Sequence, residues 1–152
     1  MAQAAAQPRQ WEFQLSSIED LRQLGLELGV AVDAIEDVSI LAQPVEFGGR
    51  VIPNSLAVHP MEGCDGDTEG RPDRLTVRRY DRFAGGGAGL IWAEAIAVLH
   101  EARANPRQLW LHKGSQEAFA ALVRRAREKA AEANGAGHRP VIVAQLTPFY
   151  DK

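Results

Sequence analysis

Three segments, Ser55–Asp65, Leu90–Val98 and Val141–Thr147, each read as a strand that ends in a loop, and they recur at helix-sized intervals. A strand–helix–strand rhythm of this length implies a parallel sheet with right-handed crossovers, because a parallel return needs a long connection and a helix is the usual one. In such folds the chemistry gathers at the carboxyl ends of the strands. Those ends carry Pro60-Met61-Glu62, Glu94-Ala95 and Gln145.

The chain has 152 residues, enough for one ordinary domain and too few for a complete eight-unit β/α barrel of roughly 250 residues. Its 45% apolar content and interspersed charges are those of a globular protein, and a net charge of −3 argues against a nucleic-acid partner. The opening Met1-Ala-Gln-Ala-Ala-Ala-Gln-Pro8 lacks the cationic start and apolar core of a signal peptide, and no run approaches the roughly 18 apolar residues of a membrane helix. A single cysteine, Cys64, makes no internal disulfide and fits a reducing compartment. A cytoplasmic protein without a membrane partner is the expectation.

Residues 1 to 10 are expected to fray. Ser16-Ser-Ile-Glu19 has capping-box spacing and predicts a helix from about Ser17 to Leu28, striped by Ile18, Leu21, Leu24 and Leu28 and weakened by Gly25. Val45–Ile52 predicts two short strands around Gly48-Gly49, a dipeptide suited to a tight hairpin. Pro72 is expected in the first turn of a helix from about Asp73 to Phe83, with Leu75, Arg79 and Phe83 on one face and Thr76 and Tyr80 on another. The glycines from Gly85 to Gly89 stop it. Leu99–Gly114 is long, mostly polar and interrupted at Asn105-Pro106. Ser115 is the expected N-cap of a helix carrying Phe119, Leu122, Val123, Ala126 and Ala130 at helical spacing, and Asn134-Gly135 ends it. Pro140 opens the third strand.

Several motifs invite metal or phosphate readings that their surroundings weaken. Asp65-Gly-Asp67-Thr-Glu69-Gly70 has the first half of a calcium-loop pattern, but Thr76 stands where the bidentate glutamate belongs. His59, Glu62, Cys64 and Asp67 alternate in direction along an extended chain and need not converge, so a packed histidine and a buried free thiol are expected instead. The glycine run precedes a strand rather than following one and lacks a Gly-Lys-Ser/Thr ending. Arg124-Arg125 and Arg127-Glu128-Lys129 read as the solvated face of the second crossover helix.

Taken in order, Pro53-Asn-Ser-Leu-Ala-Val-His-Pro-Met-Glu-Gly63, Tyr80 with Gly86-Gly-Ala-Gly-Leu-Ile-Trp-Ala-Glu-Ala-Ile-Ala-Val98, Asn105-Pro-Arg-Gln-Leu109 and Gln145-Leu146 resemble the old yellow enzyme family of FMN-dependent NAD(P)H:flavin oxidoreductases. The resemblance covers residues 44 to 147. It implies an α/β fold, a partial TIM (β/α)8 barrel made of the first three β/α units, preceded by an N-terminal helix and the hairpin at Val45–Ile52. Residues 1–43 would be an N-terminal extension and 44–152 the N-terminal portion of the barrel.

The same resemblance implies that Pro60, Met61, Glu62, Ala95 and Gln145 contact FMN. Proline and methionine would lie against the ring, Ala95 would leave room for it, and the Gln145 amide, both donor and acceptor, would suit its pyrimidine edge. The implied reductant is NADH or NADPH and the implied partner a small acceptor such as an activated alkene. Two departures stand out. Glu62 sits where the family often has threonine, cysteine or alanine, and an inward carboxylate would disfavour negative charge on the reduced ring. After Thr147 the chain reads Pro148-Phe-Tyr-Asp-Lys152 instead of a His-Ser/Ala-Gly-Arg type of segment, and the family's substrate-anchoring pair and proton-donating tyrosine have no counterpart here. The chain alone is therefore expected to bind FMN weakly and to have little activity. The alternative expectation is a non-catalytic truncated barrel that acts by self-association through exposed sheet edges or through a partner chain.

Overall fold

In the computed structural model, residues 15–148 are described. Residues 1–10, expected to fray, lie outside that range. The chain divides into two compact units at Val38 and Ser39.

The first unit contains helix α1, Ile18–Glu27. Its N-cap is Ser17, one residue later than the Ser16/Glu19 spacing suggests: Ser17 Oγ accepts from Asp20 N, and the Asp20 carboxylate accepts from the Ser17 and Ser16 amides. A shorter aspartate reaches these amides as well as a glutamate would, so the box moves without losing its logic. Gly25 is buried rather than merely permissive, since a Cβ there would stand 2.6 Å from Val32 Cγ2 and 2.7 Å from Val30 O. Leu28, expected in the apolar stripe, is 67% exposed.

The second unit begins with a 3-10 turn at Ser39–Ala42 and the antiparallel hairpin β1 (Val45–Phe47) and β2 (Arg50–Ile52). Gly48 and Gly49 take φ of 57° and 73°, the left-handed region that a two-residue hairpin turn demands. A three-stranded parallel sheet follows, with β3 (Ala57–Val58), β4 (Leu90–Ala97) and β5 (Val141–Thr147) in the order β3-β4-β5. Helices α2 (Arg74–Gly85) and α3 (Gln116–Asn134) form the two crossovers.

One face of the sheet packs on these helices. Tyr80 and Ala84 from α2, Leu122, Ala126 and Ala130 from α3, and Ile91 and Ala93 from β4 make the core, with Val58 and Ile142 packed against it. Small residues dominate the helix faces, which lets α2 and α3 approach closely. Asn54 ties the start of the sheet together by donating Nδ2 to Gly87 O at 2.7 Å and accepting from Gly89 N at 2.8 Å.

The structure corrects four expectations. The first strand is two residues long and partly exposed, not a buried run to Asp65, because the chain leaves β4 after Val58 and Pro60 has no N–H to continue a ladder. Asp73, not the first-turn position of Pro72, defines the start of α2: it is the N-cap of a reciprocal box with Thr76. The buried stripe of α2 is Thr76, Tyr80 and Ala84, whereas Leu75 is 44% exposed. Ser115 does cap α3 by position, but its hydroxyl donates to Trp110 O and accepts from His112 N instead of closing the helix end.

Candidate functional site

The register of the parallel sheet sets Ala95 opposite Gln145 on neighbouring strands, after an irregularity in the β4–β5 ladder between Trp92 and Ala95. The Pro60–Gly63 segment, which follows β3, is joined to the same half of β4 by one hydrogen bond, from Gly63 N to Glu94 Oε2. Of the expected residues, Ala95 and Gln145 are thus paired across the sheet, and the segment carrying Pro60, Met61 and Glu62 is tied to the residue before Ala95. Ala95 is buried, with its carbonyl accepting from Gln108 Nε2 at 3.2 Å. Gln145 is half-buried, and its Oε1 accepts from Trp92 Nε1 at 3.1 Å. An indole N–H can only donate, so this bond fixes which end of the amide is oxygen and keeps the two amide N–H groups as the donors Gln145 has to offer. Met61 is 73% exposed beside Pro60, also exposed, and Glu62 is half-buried. The Thr147 hydroxyl oxygen, at the end of β5, is buried and has no partner among the described residues.

Beneath the Pro60–Gly63 segment lies an ion-pair cluster that the sequence reading did not foresee. Arg79 of α2 donates Nη2 to Glu94 Oε1 at 2.7 Å and to Asp65 Oδ1 at 2.9 Å, Nε to Asp65 Oδ2 at 3.3 Å, and Nη1 to the Met61 carbonyl at 3.3 Å. Glu94, 1% exposed, accepts from Gly63 N through Oε2 at 3.0 Å and from the Tyr80 hydroxyl through Oε1 at 3.3 Å. Thr76 Oγ1 donates to Asp65 Oδ1 at 2.6 Å. The planar guanidinium fork serves two carboxylates and a carbonyl at once, which a lysine ammonium could not do in that geometry. Gly63 lies flat against it: a Cβ there would be 2.2 Å from Arg79 Nη2.

These contacts move proton affinities in opposite directions. Burial pushes the Asp65 carboxyl up, but hydrogen bonds from Arg79 and Thr76 outweigh it and hold the group below the usual carboxylate range. Burial, then the Glu94 charge, pushes the Tyr80 phenol up to about 12. Asp65 therefore contributes stability that is present above its unfolded value of about 4 and lost as pH falls through the lower folded value. Tyr80 contributes stability that is present below its unfolded value of about 10 and lost as pH rises towards 12. Denaturant unfolding followed from acid to alkali should show a plateau between these limits, and Asp65→Asn should flatten the acid limb alone.

Two further expectations are corrected here. His59 and Cys64 are both exposed in the stretch after β3, where no sheet ladder continues, and Cys64 takes a φ of 47°, unusual for a side chain with a Cβ. Asp65, the first oxygen of the calcium-like pattern, is committed to Arg79, and Asp67 accepts from Arg71 N at 2.8 Å. Among the described residues, no three His, Cys, Asp or Glu groups stand where they could share a metal ion, and no helix is long and apolar enough to cross a membrane. An open groove of about 1110 Å³ lies elsewhere, around Phe47, Arg50, Arg127, Arg139 and the first residues of β5. It contains none of the five expected contact residues, and is lined by the first three residues of β5.

No family model and no curated protein matches the sequence. Solved structures do match in fold. The old yellow enzyme homologue from Zymomonas mobilis is similar over 70% of this chain at 20% identity, with a TM-score of 0.57. Morphinone reductase in complex with tetrahydroNAD matches over 70% at 25% identity and a TM-score of 0.56, and the old yellow enzyme from Trypanosoma cruzi over 72% at 20% and 0.56. The chain spans 27%, 26% and 27% of these proteins respectively. In fold, then, the chain is similar to about a quarter of an old yellow enzyme homologue.

Proposed function

We propose that the carboxyl edge of this sheet is one side of an FMN pocket, and that the chain is the N-terminal part, the first three β/α units, of a barrel with old yellow enzyme-type chemistry. The observation that carries this reading is the Ala95–Gln145 register pair, with Gly63 N bonded to Glu94, the residue before Ala95. A flavin ring requires a small residue where it lies close, apolar groups along its face and amide-type partners at its edge. Ala95, Pro60, Met61 and Gln145 are such a set, and the unpartnered Thr147 hydroxyl adds a polar group at the same end. Bound there, FMN would supply hydride transfer from NADH or NADPH to an electron-poor alkene or a related small acceptor. The chain's own part is to hold the ring and exclude water from one side of it. Glu62, half-buried beside Met61, is the residue whose charge would tune the bound ring.

Titration of FMN fluorescence with the full chain tests this. Weak but saturable binding is expected, weakened about tenfold in Gln145→Leu through loss of hydrogen bonds worth roughly 1 kcal/mol each. Arg139→Gln, in the groove at the start of β5, should leave it unchanged. Equal binding by wild type and Gln145→Leu would remove the assignment.

A second reading rests on the sheet edges. Among the described residues β5 pairs only with β4, and Leu146 is 51% exposed. Such an edge can pair with a second copy or a partner chain. A mass that rises with concentration, with no flavin binding, would favour that reading.

A further inference from the structure

We propose that Asp65, Arg79 and Glu94 are positioning residues that set the conformation of the Pro60–Gly63 segment for ligand contact; this rests on the flavin reading above. After Val58 the segment has no sheet ladder to fix it. Its geometry is fixed instead by the two ends of one ion pair. The Met61 carbonyl needs a donor and receives Arg79 Nη1, and the Gly63 amide needs an acceptor and receives Glu94 Oε2. These two contacts flank Glu62 and hold the peptide planes on either side of it. Asp65 grips Arg79 from the far side through two nitrogens, so the guanidinium cannot swing away. Gly63 permits the close approach, because any Cβ would displace the guanidinium.

The expense of the arrangement points to function. A turn that had only to reverse the chain could be capped by neutral side chains or water, whereas burying a carboxylate at 1% exposure carries a desolvation cost that an ion pair seldom recovers in full. What the cluster delivers in exchange is a rigid backbone beneath an exposed Met61, the side chain meant to meet the ring. Pre-organising a contact surface in this way lowers the ordering cost of binding.

Amide hydrogen exchange on the isotopically labelled full chain separates this role from general stabilisation. Glu94→Gln keeps the shape but turns an acceptor pair into one acceptor and one donor. Exchange at the Gly63 amide, whose proton Glu94 Oε2 accepts, should quicken about tenfold or more, while β4 and α3 amides keep their wild-type protection, as expected for local opening. Asp65→Asn, acting from the other side of Arg79, should give the same selective pattern. Uniform acceleration across loop and sheet, or no change in the loop, would overturn the proposal. The exchange result stands whether or not the wild-type chain shows a flavin site, so loss of the flavin reading and loss of the positioning role are told apart. If both hold, the two variants bind FMN about tenfold more weakly than wild type in the fluorescence titration.

Discussion

Arg79→Met is expected to lower the unfolding free energy by about 3–5 kcal/mol, the largest single-residue effect among the residues of the ion-pair cluster. Methionine approximates the length of the arginine stem but leaves Asp65 and Glu94 facing each other without a cation, one of them almost wholly buried. The cost is that of two stranded carboxylates rather than of one lost contact. The loss should shrink at low pH, where Asp65 takes up a proton, and denaturant midpoints for wild type and variant should converge as pH falls. Replacing all three charged residues by apolar ones of similar volume should recover much of the stability, because a buried pair contributes little net against a well-packed apolar substitute. The loop order that Glu94 and Arg79 impose should not return with it.

Ile91→Ala is expected to cost about 2–5 kcal/mol by an unrelated route. Ile91 is fully buried between the sheet and the two crossover helices, among Tyr80, Ala84, Ala126 and Ala130. The neighbouring alanines have no long side chains that could swing into the vacated space, so a cavity should persist and the loss should fall in the upper half of that range. Unfolding in denaturant at neutral pH measures it. Unlike Arg79→Met, the penalty should not vary with pH. A pH-dependent loss at Ile91 would show that the core and the ion-pair cluster are energetically one unit.

How much of this was visible in the sequence depends on whether the cause was local. The Gly48-Gly49 turn, the stop at Asn134-Gly135 and the strand opening at Pro140 lie where backbone chemistry places them. The helix starts were legible to within a residue for the same reason. The first strand was not, because Ala57 and Val58 pair with β4 and nothing in Ser55–Asp65 itself marks where that pairing ceases. The polar appearance of Leu99–Gly114 concealed two of the most buried side chains, Gln108 and Leu109. Gln108 is buried because its amide bridges Ala104 N and Ala95 O, a long-range partnership with no periodic signature. Arg79 was read as one member of a thin helix stripe, and its partners stand 14 and 15 residues away on either side. Charge complementarity across such separations shows only once the chain is folded. The five expected contact residues were named through resemblance; the structure pairs Ala95 with Gln145, and the roles of all five toward a cofactor are proposed.

The central claim is that the carboxyl edge of the sheet, and not the groove at the start of β5, meets a flavin. An amide chemical-shift titration of the labelled chain with FMN tests it most directly, since it detects weak binding and locates it. The account predicts saturable shifts at Met61, Gly63, Ala95 and Gln145, including the Gln145 side-chain amide, with Arg50, Arg127 and Arg139 undisturbed. Shifts confined to the three arginines, or none at FMN concentrations in the millimolar range, would contradict it.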